Sequence, residues 1–140
     1  MLDPENITQE TYESAIRDVG QVARDPHEVA NQLREISALY GYYYGVMIKV
    51  KRLLDNSEDA LENYKASART AKRSEGVKLT AVAAEDYVQS LELTGELNNE
   101  VRRLKESYGY AKGICSTLEM KKDMLVQLSA NSRQESKLYQ

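Results

Sequence analysis

The chain has 140 residues, one domain's worth, and lacks Phe and Trp, so ten Tyr carry all its aromatic mass. Pro stands only at 4 and 26 while Ala, Leu, Glu, Lys, Arg and Gln dominate, which argues for long helices and against a compact mixed globule. A net charge of −3 demands no nucleic-acid or membrane partner, and one Cys115 with one His27 leaves no internal disulfide, no zinc set and no Ser-His or Cys-His catalytic pair.

Residues 1–35 hold eight acidic and three basic side chains, a net of −5, and residues 36–140 hold fourteen and sixteen, a net of +2. This division suggests an acidic N-terminal arm (1–24) attached to a mildly basic hairpin domain (25–140). In the arm, Asn6 with Gln9 reads as a capping box for a helix over roughly 8–23, whose apolar positions are Tyr12, Ala15, Ile16, Val19 and Val22.

Asp25-Pro26-His27-Glu28 is the clearest helix start in the chain: a cap, a proline at the first helical position and an acid in the first turn. From it a heptad runs in two registers, Leu33, Tyr40, Met47, Leu54, Leu61, Ala68 and Ile36, Tyr43, Val50, Ser57, Tyr64, Ala71. A 3.5-residue period predicts a coiled-coil-like seam on a helix roughly 70 Å long. Asp55-Asn56-Ser57 is its weak point, and the unbroken heptad favours continuity. Gly76 stops this helix after Arg69, Lys72 and Arg73. Thr80 then caps a short helix over about 81–91. Thr94 caps a last long helix, roughly 95–134, with a seam of Leu97, Val101, Leu104, Tyr108, Ala111, Cys115, Leu118, Leu125 and Leu128. Lys122 interrupts that seam, Ile114, Met124 and Val126 broaden it, and residues 132–140 are expected to fray. The fold class predicted is all-α: a long antiparallel helical hairpin, a short helix at its tip and an N-terminal helix.

Nothing here predicts an enzyme, a cofactor or a metal. No apolar run spans a bilayer and no signal peptide opens the chain, so a soluble cytoplasmic protein is expected, in the host cell if phage-encoded. The block Tyr40-Gly41-Tyr42-Tyr43-Tyr44-Gly45 is unusual, because Tyr42 and Tyr44 do not both fit the seam. It reads as packing, by the N-terminal helix or another protomer, in preference to base stacking near Lys49, Lys51 and Arg52. Gly41/Gly45 and Gly109/Gly113 suggest close backbone approaches. With a turn near residue 84 the two pairs fall at different heights, which points to contact between chains. Tyr40, Gly41, Tyr42, Tyr44, Gly45, Gly109 and Gly113 are therefore the candidate oligomer interface. At the tip, Lys65, Arg69, Lys72, Arg73 and Lys78 face Glu75 alone, a cluster suited to phosphates.

The stretch Ala68-Arg69, Lys72-Arg73, Glu75-Gly76-Val77-Lys78-Leu79-Thr80, Ala83, Glu85 and Val88, with Lys121-Lys122-Asp123-Met124-Leu125-Val126 and Arg133-Gln134-Glu135, resembles small helical proteins of phage recombination modules. Their layout is that of the UvsY-type recombination mediators, and the resemblance covers roughly residues 45–135. Where that family carries a tyrosine-glycine-arginine signature, this chain has Arg73-Ser74-Glu75-Gly76. The resemblance implies a non-enzymatic, ring-like homo-oligomer that binds single-stranded DNA and helps a RecA-like recombinase displace a single-strand-binding protein. By position it carries over Arg69, Lys72, Arg73 and Lys78. The competing expectation is a protein–protein interaction module without nucleic acid: a virion or scaffold component, or an inhibitor of a host protein.

Overall fold

A computed structural model describes residues 2–76 and 78–138. They form α1 (Gln9–Gly20), α2 (Pro26–Ser74), α3 (Ala81–Ser90) and α4 (Glu92–Leu138), with no strand among the described residues. The fold is all-α and built on a long helix pair.

α2 begins where the local chemistry says it should. The Asp25 carboxylate accepts from the Glu28 backbone N–H at 3.3 Å, and Pro26 occupies the first helical position. The helix passes through Asp55-Asn56-Ser57 unbroken and ends at Ser74. Gly76 takes the reversal at φ +82°, a conformation that a Cβ would strain, and its N–H donates to the Arg73 carbonyl at 3.1 Å. Thr80 then caps α3, its hydroxyl accepting from Ala83 N–H at 3.1 Å. Val77 of the connector lies outside the described residues.

One extended residue, Leu91 (φ −73°, ψ 135°), joins α3 to α4. The last helix therefore starts at Glu92, three residues before the expected position, and Thr94 is a fully buried residue of its first turn rather than its cap. At the other end α4 runs to Leu138 instead of fraying from Ser132. No Gly or Pro follows Gly113, so nothing local opposes propagation.

The seam follows the heptad with instructive departures. Ile36, Val50, Leu54 and Leu61 are buried as the two registers predict, and Val29, one heptad before Ile36, is buried as well. At the tip the stripe drifts, leaving Ala71 exposed and Lys72 half-buried, because a straight helix turns every 3.6 residues and outruns a 3.5-residue repeat. Val46 is buried although it belongs to neither register: Ile7 of the N-terminal segment covers it, together with Val50 and Ala111. On α4, Val101, Leu104, Ala111, Cys115, Leu118 and Leu125 are buried, whereas Met124 and Val126 are exposed and do not extend the core.

The arms meet at a level different from that expected. Tyr40 donates its hydroxyl hydrogen to Glu119 Oε1 at 2.9 Å, which puts the hairpin's midpoint near residue 80 rather than 84. Gly45, beside Val46, and Gly113, two residues past Ala111, consequently lie at similar heights. The inference of different heights is corrected by this four-residue shift.

The N-terminal segment forms a third layer. Thr8, with Thr11, makes the capping box that the sequence suggested for Asn6 and Gln9, and α1 stops at Gly20. Asn6 instead closes a turn onto the Asp3 carbonyl. α1 lies along α4 and reaches α2 through side chains only, burying Ala15 and Val19 against Ile36, Ile114 and Leu118. Beneath it, α4 presents a second heptad stripe: Ser107, Ile114 and Lys121, all buried. Ser107 Oγ accepts from Ile7 N–H at 3.2 Å. Lys121 Nζ donates to the Val19 carbonyl at 2.7 Å, capping the last turn of α1. It is Lys121 that sits in the interior, while Lys122, expected to interrupt the seam, is exposed. Burial lowers the pKa of the Lys121 ammonium, and Glu35 opposes that shift.

Lys121→Met keeps the aliphatic stem but removes the donor to Val19. Urea denaturation should show a loss of about 1–3 kcal/mol, the cost of an unpaired buried acceptor, whereas Lys122→Met should be close to neutral.

Candidate nucleic-acid interface at the helical elbow

The turn at Gly76 and the cap at Thr80 fold α3 back along the end of α2, and that geometry decides what the elbow bases touch. Arg69 Nη2 lies 2.7 Å from Glu85 Oε2, and Gln89 donates to the other Glu85 oxygen at 3.1 Å. Lys72 Nζ sits 4.9 Å from the centroid of the Tyr87 ring and 3.4 Å from Glu75. Lys65 lies 3.8 Å from Glu62, with its stem largely covered. Three of the five predicted bases thus hold carboxylates of their own chain. Arg73 and Lys78 are exposed and have no carboxylate within 4.0 Å among the described residues. They flank a shallow depression with Gly76 and Leu79.

These pairs are at the surface, where solvent and salt screen them and their contribution to stability is small. They nevertheless change the chemistry of the cluster. Hydrogen bonds from Gln89 and then Arg69 lower the Glu85 pKa, so its charge persists well into acid. Along the chain Glu75 is the one acid among the elbow bases, and Glu85, Tyr87 and Gln89 join them only through the fold. Sixteen residues separate Arg69 from Glu85, and only the fold-back brings them together. The Gly76 stop followed by the Thr80 start was the available signal.

The second predicted set is spread over several surfaces. Tyr40 and Tyr44 stack at 5.7 Å with Tyr44 exposed, and Tyr42 meets Tyr43 edge-on at 4.9 Å. Tyr42 also accepts the Leu2 N–H at 3.3 Å. Gly113 has an intramolecular reason to be glycine: a Cβ there would stand 3.0 Å from the Tyr12 ring, itself stacked on Tyr110. A Cβ on Gly41, Gly45 or Gly109 would meet nothing within 4 Å. The Tyr108 ring has two ammonium groups near it, Lys51 at 5.7 Å and Lys112 at 5.4 Å from its centroid.

His27 is exposed at the start of α2. Cys115 is buried, and that burial raises its thiol pKa, away from thiolate reactivity. Among the described residues, no group of three or more His, Cys, Asp or Glu could hold a metal ion, and no helix is long and apolar enough to cross a membrane. Set against protein-family models, curated proteins and solved structures, the chain matches none of them.

The lowered Glu85 pKa fixes a pH dependence. Its contribution is present above the ordinary glutamate pKa of about 4.3 and is lost as pH falls through the lower folded-state value. Thermal unfolding should therefore show wild type losing stability relative to Glu85→Gln below about pH 4, with the difference levelling off at more acidic pH.

Proposed function

We propose that this chain is a non-enzymatic, self-associating helical-hairpin protein that binds single-stranded DNA at its elbow and assists recombination. A RecA-like recombinase or a single-strand-binding protein would then share the strand with it. The observation that carries the reading is the pair Arg73 and Lys78, exposed and, among the described residues, without carboxylate partners on either side of the Gly76 turn, beside Lys72 on the Tyr87 ring. Cations at a projecting end can contact successive phosphates, and the adjacent aromatic can meet a base. The resemblance to phage recombination mediators supports the same assignment.

Titration of labelled oligo-dT at two salt concentrations tests it. Arg73→Ala with Lys78→Ala should weaken binding about tenfold at low salt and flatten the salt slope by about 1.4, two single-strand phosphate contacts, with the helical circular dichroism unchanged. Unaltered binding by the double variant would reject the elbow as the DNA site.

A second reading, a protein-interaction module, is favoured by one observation. Tyr44 and Ile48 stand exposed one turn apart on α2, as do Met120 and Met124 on α4. Self-association is tested at the open glycines. Gly109→Ala should raise protomer stability by about 0.5–1 kcal/mol, since alanine suits a helix interior better. If Gly109 lies in the protomer contact, light scattering should show that the same change lowers the assembled mass.

A further inference from the structure

The elbow holds its bases in two different ways. Lys65–Glu62 and Lys72–Glu75 are i,i+3 pairs within one helix or its cap, contacts that exchange readily with solvent. Arg69–Glu85 is different: it joins α2 to α3, has a 2.7 Å contact, and its carboxylate is anchored from the other oxygen by Gln89. Arg69 holds one oxygen of this carboxylate and Gln89 the other, so Glu85 Oε2 fills the place on the guanidinium that a phosphate oxygen would take. Arg73 and Lys78, a turn or two away, have no such occupant among the described residues.

We infer that Glu85 is a built-in competitor for phosphate at the elbow: it occupies Arg69 in the free protein, so that this arginine joins a nucleic-acid backbone only when the carboxylate is displaced. The inference rests on the nucleic-acid reading above and adds to it an affinity-setting residue. A strand entering the site first meets Arg73 and Lys78, while Arg69 stays closed behind its own carboxylate. Binding is held below what five bases could give, and the elbow retains a cation in reserve. Any event that moves α3 away from α2 would release it.

Glu85→Gln tests this, because the amide preserves the size of the side chain and one acceptor oxygen while removing the charge. In oligo-dT titrations at low salt this variant should bind about threefold to fivefold more tightly than wild type, and its salt slope should steepen by about 0.7, one added phosphate contact. Asp86→Asn makes the same charge change on an exposed neighbour that does not bond Arg69, and should give a smaller gain. Arg69→Ala should cost little in the wild-type background and should abolish the gain of Glu85→Gln. A Glu85→Gln variant that binds no tighter, an equal gain from Asp86→Asn, or a gain that survives Arg69→Ala would each overturn the competitor role while leaving DNA binding in place. No binding by wild type or Glu85→Gln at low salt would overturn the nucleic-acid reading itself, and this inference with it.

Discussion

Two antiparallel helices alone bury one stripe each, and the architecture depends on what covers the rest of that seam. Here the constraint is met by the Ser107-Ile114-Lys121 stripe, which fastens the N-terminal segment at three levels. Ser107 holds Ile7, Ile114 packs under Ala15 and Val19, and Lys121 closes the end of α1 on the Val19 carbonyl. Fully burying Ile114 and Leu118 contributes about 1.5–3 kcal/mol each, and the two polar members fix where along α4 the third helix lies. Apolar burial supplies the adhesion, and the hydrogen bonds supply the register.

That division explains what could be read from residues alone. Asp25-Pro26, Gly76 and Thr80 encode their caps within four residues, so the start of α2, the elbow and the start of α3 were legible. So was the long hairpin, because a heptad held over six repeats has few other uses. The level at which the arms meet was not. It depends on one extended residue, Leu91, and on the depth of α3, so Thr94 passed for a cap and the turn was placed four residues too far along. Lys121 was illegible for a different reason: it lies off the two-helix seam, where a lysine reads as surface until its partner carbonyl, 102 residues earlier, is known. Val46 and Gly113 likewise serve the N-terminal segment, through Ile7 and Tyr12, which a two-helix pattern does not contain.

At the elbow, the bases were visible in sequence and their occupancy was not. Counting charge by proximity in the chain credits Arg69 and Lys72 to the surface. The fold-back assigns one to Glu85 and lays the other on Tyr87. The same short helix therefore serves as a structural brace and as a chemical regulator, and its acidic and aromatic residues matter as much as the lysines and arginines that first draw attention. Among the described residues of the elbow, the bases left without a carboxylate are Arg73 and Lys78, on either side of Gly76.

The third layer also ends part-way along the hairpin. Clusters near the base include Ile7, Ala15 and Val19, whereas the cluster of Leu54, Leu61, Val101 and Leu104 is made by the two long helices alone. Burial is thus graded along its length, and amides at the base are expected to exchange through larger openings than those toward the elbow. Whatever seats itself at the elbow stiffens the compliant half, and its arrival would be felt as slowed exchange spreading down the seam toward the point where α1 begins.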